Sequence, residues 1–399
     1  MRPTWAEISL TALRHNFRTI QDFVAPGATV LAVVKADAYG HGAAECARAL
    51  EAEGACWFGV SSTEEGVCLR QAGIKGRILL MSGFWRAEEQ AIVEHDLTAA
   101  VWDLGHIELL EAAARKFHPS PHAKTPRDED SDRDAGHPVP VHLKIDTGMA
   151  RLGINRNAIG EFAEVLKQAE DVTLEGAFSH FASAEVLDSP AVSAQLQRFD
   201  SAVAALHQNG LDPVYLHMAN SAALATRPNT WKNMVRPGIS LYGYYLPFTT
   251  AGSNAPDPSH ELPVKPVLSW KTRILALRDV PAHSPISYNG TYVTQAPARI
   301  AVLPVGYADG LSRHLSSSGA GRGRVIVRGE YAAIVGTVTM DMTMIDVTGI
   351  PAEAGDEVIL IGASGSKSIT ARDLASHAQT IPYEILCGIS KRVCRKYVE

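Results

Sequence analysis

Ala28-Thr-Val-Leu-Ala-Val-Val-Lys35-Ala-Asp37-Ala-Tyr39-Gly40-His-Gly42 governs how the rest of the chain is read. Val30 to Val34 is a short, unbroken apolar run, which suits a strand buried on both faces of a parallel sheet. It ends on Lys35, and lysine is rarely buried without a partner or a purpose. Two glycines and a tyrosine follow. Ala43, Cys46, Ala47 and Leu50 then fall at helical spacing on one face. Lys35 therefore sits at the carboxyl end of a buried strand, where α/β folds place their chemistry. Apolar walls depress an amine's pKa and make it a nucleophile toward a carbonyl. A lysine snorkelling from a strand end fits the spacing equally well.

The chain has 399 residues, which suggests two or three domains with cores of their own. A net charge of −6 gives no support to nucleic-acid binding or membrane attraction. The start, Met1-Arg-Pro-Thr-Trp-Ala-Glu-Ile, lacks the apolar core of a signal peptide, and no later run would span a bilayer. Cys46, Cys56, Cys68, Cys387 and Cys394 form no CxxC pair, so neither a disulfide framework nor a metal site is expected. A reducing cytoplasm fits best.

Strand patterns recur at Trp5–Leu10, Val30–Val34, Cys56–Ser61, Gly76–Ser82, Leu97–Trp102, Val139–Asp146, Leu174–Phe181, Val214–Ala219 and Met234–Gly243. Helical patterns alternate with them, including one that Thr11 would cap and that runs to about Phe23. This alternation implies parallel strands with crossover helices. About eight units in 245 residues match an α/β architecture with an eight-stranded β/α (TIM-type) barrel over residues 1–245. An open doubly wound sheet is the alternative, although no GxGxxG fingerprint opens a helix.

The polar, proline-broken segment 118–138 reads as a solvated insertion between a helix and the next strand. After Gly243 the character changes. Residues 249–263 resemble a linker, and Val267–Leu277, Ala298–Pro304, Gly323–Arg328, Tyr331–Asp346 and Asp356–Ile361 read as strands, with one helix at Ala371–Gln379. Residues 246–399 thus form a second, mainly β domain, with residues 1–10 a candidate to pair with it.

The stretch Val33-Val-Lys35-Ala-Asp-Ala-Tyr39-Gly-His-Gly42 resembles the pyridoxal-phosphate (PLP) lysine motif of the alanine racemase family, and the resemblance runs along most of the chain. Lys144-Ile-Asp-Thr-Gly-Met-Ala-Arg151-Leu-Gly is similar to the family's KxDxGMxRxG segment. Ser179-His180-Phe-Ala, His217-Met-Ala-Asn220-Ser221-Ala and Arg236-Pro-Gly238-Ile239-Ser-Leu-Tyr-Gly match further barrel motifs. Ser287-Tyr288, Gly306-Tyr307-Ala-Asp-Gly, Met340-Asp341 and Ile381-Pro-Tyr383-Glu do so in the second domain. Departures are Ala150 where glycine is common, Asn289-Gly290, and the insertion.

The resemblance implies a PLP-dependent isomerase that interconverts L- and D-alanine by two-base proton transfer and supplies D-alanine for peptidoglycan. It implies a head-to-tail homodimer with shared active sites. Lys35 would carry PLP and act as one base, and Tyr288, reaching the partner's barrel, as the other. Tyr39, His180, Asn220, Ser221, Arg236, Gly238, Ile239 and Tyr383 would hold the cofactor. Arg151, Met340 and Asp341 would meet substrate, and Lys144 is a candidate for carbamylation.

Chemistry supports several of these roles independently. Hydroxyls and loop amides, such as those of Ser221, Gly238 and Ile239, make a common phosphate cradle. By the resemblance Arg236 would face the pyridine nitrogen, where two positive charges about 4 Å apart repel by roughly 4 kcal/mol at an effective dielectric near 20. The nitrogen then stays unprotonated and the ring is a weak electron sink, which limits transamination. Other readings are a racemase of serine or other amino acids, a PLP decarboxylase of the same architecture, a non-catalytic PLP-homeostasis protein that shares the barrel but lacks the second domain, against which Met340, Asp341 and Tyr383 argue, and a cofactor-free barrel protein. A decarboxylase would place an acid where Arg236 stands.

Overall fold

The Lys35 strand is the first rung of a barrel. The computed structural model describes residues 2–117, 138–253, 255–316 and 323–399. The described first part holds β1 (Trp5–Ser9), β2 (Thr29–Val33), β3 (Trp57–Val60), β4 (Arg77–Leu80), β5 (Thr98–Val101), β6 (Val139–Lys144), β7 (Val172–Phe178), β8 (Tyr215–His217) and β9 (Met234–Val235). β2 to β9 pair side by side in the order β9-β2-β3-β4-β5-β6-β7-β8, every pair parallel. The remaining gap is bridged by Arg236 N donating to Ala219 O at 2.9 Å and Asn233 N to Leu216 O at 3.3 Å. The result is a nearly closed eight-stranded β/α barrel. Short, fully apolar rungs such as Leu31–Ala32 and Ile78–Leu80 are wholly buried, as both faces of a barrel wall require. Most of the insertion read at 118–138, including its three histidines, lies outside the described residues.

β1 does not enter the barrel. It pairs antiparallel with β10 (Leu268–Arg273) and parallel with the C-terminal strand Cys394–Val398, inside the ten-stranded sheet of the second part. The first helix, Leu10–Val24, is capped by Ser9, whose Oγ accepts from Ala12 N at 3.1 Å, and not by Thr11. The expected strand Met234–Gly243 stops at Val235, because Pro237 has no N–H to donate and Ile239–Tyr242 coils into a 3₁₀ turn.

Two long strand patterns of the second part are also divided. Val267–Leu277 breaks near Ile274, where the chain changes partners: Ile274 N donates to Asp356 O and Leu275 N to Val302 O. Tyr331–Asp346 splits into Glu330–Ile334 and Thr343–Asp346. Between them Gly336, at φ 72°, turns the chain where a Cβ would lie 2.7 Å from Ile286 O. A second helix that the sequence pattern did not signal, Pro382–Gly388, follows Ala371–Ala378 and carries Tyr383. Among the described residues no helix is long and apolar enough to cross a membrane.

Candidate active site

The barrel strand delivers Lys35, and an unusual turn then positions the residues beyond it. Ala36, Asp37, Ala38 and Tyr39 all have φ between 52° and 54°, a full left-handed turn built from residues with side chains. Left-handed backbone costs about 1–2 kcal/mol per residue, so this turn costs roughly 4–8 kcal/mol before compensation. The surroundings hold it at both ends. Glu65 Oε1 accepts from Ala36 N at 2.6 Å while its Oε2 accepts from Ser61 N at 2.7 Å. Asp37 O accepts from Gly42 N at 2.9 Å, and Asp37 Oδ1 from Ala43 N at 2.8 Å, where a right-handed helix starts. Arg395 Nε, on the C-terminal strand, donates to Gly40 O at 3.0 Å. Gly40 leaves the turn at φ 82°, against Leu386 O, where any Cβ would collide at 2.3 Å.

The turn lowers Tyr39 into a cavity at the carboxyl ends of the barrel strands. Lys35, Tyr39, Lys144, Arg151, His180, Asn220, Ser221, Arg236, Gly238, Ile239 and Tyr383 all line it, together with Val33, Met81, Ser82 and Phe178. Eleven residues expected from sequence are thus brought together. Of the other four, Met81 and Ser82 lie beyond β4 and bore no recognisable motif. The Tyr39 ring packs 4.9 Å from Tyr242 and 5.8 Å from Tyr383.

Electrostatics distinguish this cavity. Among the described residues four cationic side chains line it and no carboxylate does. Burial, then the nearby Arg151, lowers the Lys35 amine from its ordinary value. Lys144, whose Nζ donates to Met81 O at 2.9 Å, is pushed down to about 8 by burial and by Arg151, Arg236 and Lys35. Burial pushes Arg236 down to about 9, which leaves it charged at neutral pH. His180 is driven well below its ordinary value by burial and Arg236, so it is neutral. Arg151 makes no ion pair among the described residues.

Hydroxyl and amide groups of Ser221, Gly238 and Ile239 line the same cavity. Ser221 Oγ is approached by Gly238 N at 2.9 Å, Ser240 N at 3.3 Å and Ser240 Oγ at 3.0 Å. Only glycine fits at 238, because a Cβ would lie 2.4 Å from the Tyr39 hydroxyl. Asn220 serves its own helix, since its side-chain oxygen caps Ser221–Thr226 through Ala223 N at 3.0 Å. The arrangement suits an anionic small molecule with a phosphate at the Ser221 end and a carbonyl within reach of Lys35. No cluster of three or more metal-ligating side chains occurs among the described residues.

Tyr288, Met340 and Asp341 lie elsewhere. They line a separate depression on the β domain with Tyr307, Arg313 and Thr337, and none borders the Lys35 cavity. Tyr288 is 70 % exposed, on a turn in which Ser287 and Asn289 both have φ 64°. Met340 is 52 % exposed. Asp341 Oδ1 is engaged by Arg392 Nη2 at 2.7 Å and Arg2 Nη1 at 3.3 Å.

Residues 8–246 match the family model for the alanine racemase N-terminal domain, and residues 267–397 that for the C-terminal domain. The alanine racemase of Symbiobacterium thermophilum is 41% identical over 400 residues, covering 100% of this chain and 97% of that protein. The crystal structure of alanine racemase from D-cycloserine-producing Streptomyces lavendulae superposes with a TM-score of 0.86 at 33% identity, covering 100% of this chain and 98% of that one. That of Bacillus anthracis alanine racemase with bound L-Ala-P gives 0.85 at 32% identity, covering 100% and 96%. The likeness extends through barrel and β domain alike, and the chain belongs to the alanine racemase family of isomerases.

Proposed function

We propose that the chain is a PLP-dependent racemase that interconverts L- and D-alanine in the cytoplasm and supplies D-alanine for peptidoglycan. The observation that carries this reading is the cavity with Lys35 at a strand end, three further cations, no carboxylate among the described residues, and the hydrogen-bonded Ser221–Gly238 pair in its lining. PLP fits it: the phosphate would lie against Ser221, Gly238, Ile239, Tyr39 and Tyr383, and the pyridine nitrogen against Arg236. When bound, PLP would supply the electron-withdrawing ring that acidifies the α-C–H of an attached amino acid.

The chain's own residues would do the rest. The lowered pKa of Lys35 makes its amine available as a nucleophile and as a base on one face. Arg151 would bind the substrate carboxylate. Arg236, a buried cation, disfavours a second positive charge beside it. Lys144, with its value near 8, is partly neutral at physiological pH, so its nitrogen can bond to carbon dioxide with loss of one proton. The resulting anion would steady Arg151.

A racemase needs a second base on the opposite face. Tyr288 is the proposed one, acting on the Lys35 cavity of a partner protomer in a head-to-tail homodimer, with Met340 and Asp341 nearby. Support comes from the exposed tyrosine and methionines gathered around a depression separate from their own chain's cavity. The test is a screen of single amino-acid enantiomers with the purified holoenzyme, read by product chirality. Alanine of either hand should become racemic. Decarboxylated product, or no change in any enantiomer, would contradict the proposal.

A further inference from the structure

Arg236 is a buried cation with no acidic side chain among its hydrogen-bond partners. It donates to Ser179 O at 2.7 Å, Met218 O at 3.0 Å and His217 Nδ1 at 2.9 Å, and lies 3.3 Å from His180 Nδ1. A guanidinium has only donors, so His217 Nδ1 must accept and the His217 proton sits on Nε2. That Nε2 is 2.8 Å from His142 Nδ1, which must accept in turn, leaving the His142 proton on its own Nε2. His142 Nε2 lies 3.5 Å from Glu175 Oε2, in ion-contact range, and makes no hydrogen bond among the described residues. Arg77 grips the Glu175 carboxylate with both guanidinium prongs, Nη2 to Oε2 at 2.7 Å, while lying over the Trp57 ring. Both histidines are fully buried, and burial disfavours their charged forms, so each has one proton to place.

The backbone is shaped for this line. Between β6 and β7 the register runs Val141 to Leu174 and then His142 to Gly176, which leaves Glu175 as an extra, bulged residue. Bulges re-aim side chains, and here the bulged residue is the one whose carboxylate faces His142. At the next position a Cβ on Gly176 would lie 2.6 Å from the His142 ring. Only glycine lets the imidazole cross β7 from β6 to reach His217 on β8. The line therefore runs through the barrel interior from the Lys35 cavity to a second cavity lined by Arg77 and Glu175.

We infer that His142 is a positioning residue for Arg236: as acceptor of the His217 Nε2–H it holds the imidazole whose Nδ1 receives the guanidinium, with the Glu175 carboxylate 3.5 Å behind it. Its consequence at the cofactor rests on the PLP racemase reading, whereas the tautomer line is a property of this chain alone.

The test joins ¹⁵N-histidine NMR of the purified protein to kinetics of the holoenzyme. In the unsubstituted protein both His217 and His142 should be Nε2–H tautomers. His142→Phe keeps a ring in the space and leaves the Glu175–Arg77 pair alone, while Glu175→Leu removes the anion. In His142→Phe the His217 Nε2–H loses its acceptor, so its ¹H and ¹⁵N signals should shift upfield while Nδ1 stays the acceptor of Arg236. Holoenzyme kcat should fall about tenfold with KM within about twofold, the scale of one hydrogen bond felt in the transition state, and transamination per turnover should rise. Unchanged His217 shifts with kcat within about twofold in His142→Phe would overturn the inference, whether or not Glu175→Leu folds. Shifted His217 signals in His142→Phe of a protein that racemises nothing would support the line and refute the PLP reading instead.

Discussion

Lys144 offers a quantitative handle on the site's charge. Its side chain is buried, and its folded value of about 8 lies below the ordinary lysine value near 10.4. Below pH ~8 both folded and unfolded chains hold the proton, and the folded chain bears the cost of a buried charge. Between pH ~8 and ~10.4 the unfolded chain still holds a proton that the folded chain has released, so stability rises with pH across that window. At 1.36 kcal/mol per unit, raising the pH from about 8 to about 9.5 should add ~2 kcal/mol from this group. Lys144→Met removes the titration, and the Lys35 contribution, of the same sign, largely cancels in the difference. The assay is urea unfolding of both proteins, without cofactor, across this range in carbon-dioxide-free buffer. Parallel stability curves for the two proteins in carbon-dioxide-free buffer would refute the claim that Lys144 is a desolvated, cation-crowded amine.

Other outcomes are expected from the same geometry. Arg236→Glu should let the ring nitrogen protonate, so racemisation falls while transamination rises; an unchanged ratio of the two would refute the electrostatic argument. Glu65→Leu loses two charge-assisted hydrogen bonds that hold Ala36 and Ser61, a cost of about 2–4 kcal/mol in unfolding free energy. A midpoint unchanged in urea would mean that the left-handed turn holds itself. Lys35→Ala and Tyr288→Phe chains, each nearly inactive alone, should regain activity when mixed and re-equilibrated, since one site per heterodimer then has both bases. No recovery in verified heterodimers would place both bases on one chain.

Much of this architecture was legible because apolar runs and helical spacing are local properties. The alternation of strands and helices implied the barrel, Lys35 stood out as a charge ending an apolar strand, and Lys144 and Arg236 were picked out by the motifs of the family resemblance. What sequence could not convey depends on contacts far along the chain. Ala36-Asp-Ala-Tyr39 carries no local signal for four left-handed residues; Glu65 and Arg395, distant in sequence, impose them. β1 reads as any short strand, and its partners lie more than 250 residues away. Glu175 looks like an ordinary exposed strand residue, and only the register shift reveals the bulge. One signal was available: His142 and His217 are imidazoles within buried strands, which require polar partners wherever they occur. Asn220, read as a cofactor residue, has a capping role that its position before Ser221 could have suggested.

The attachment point of the cofactor is where the whole reading is most exposed to test. The holoenzyme should be reduced with borohydride, digested and analysed by peptide mass. A reduced pyridoxyl phosphate group on the peptide containing Lys35, with neither group nor turnover in Lys35→Ala, is the expected result. Label on another lysine, or full activity in Lys35→Ala, would contradict it.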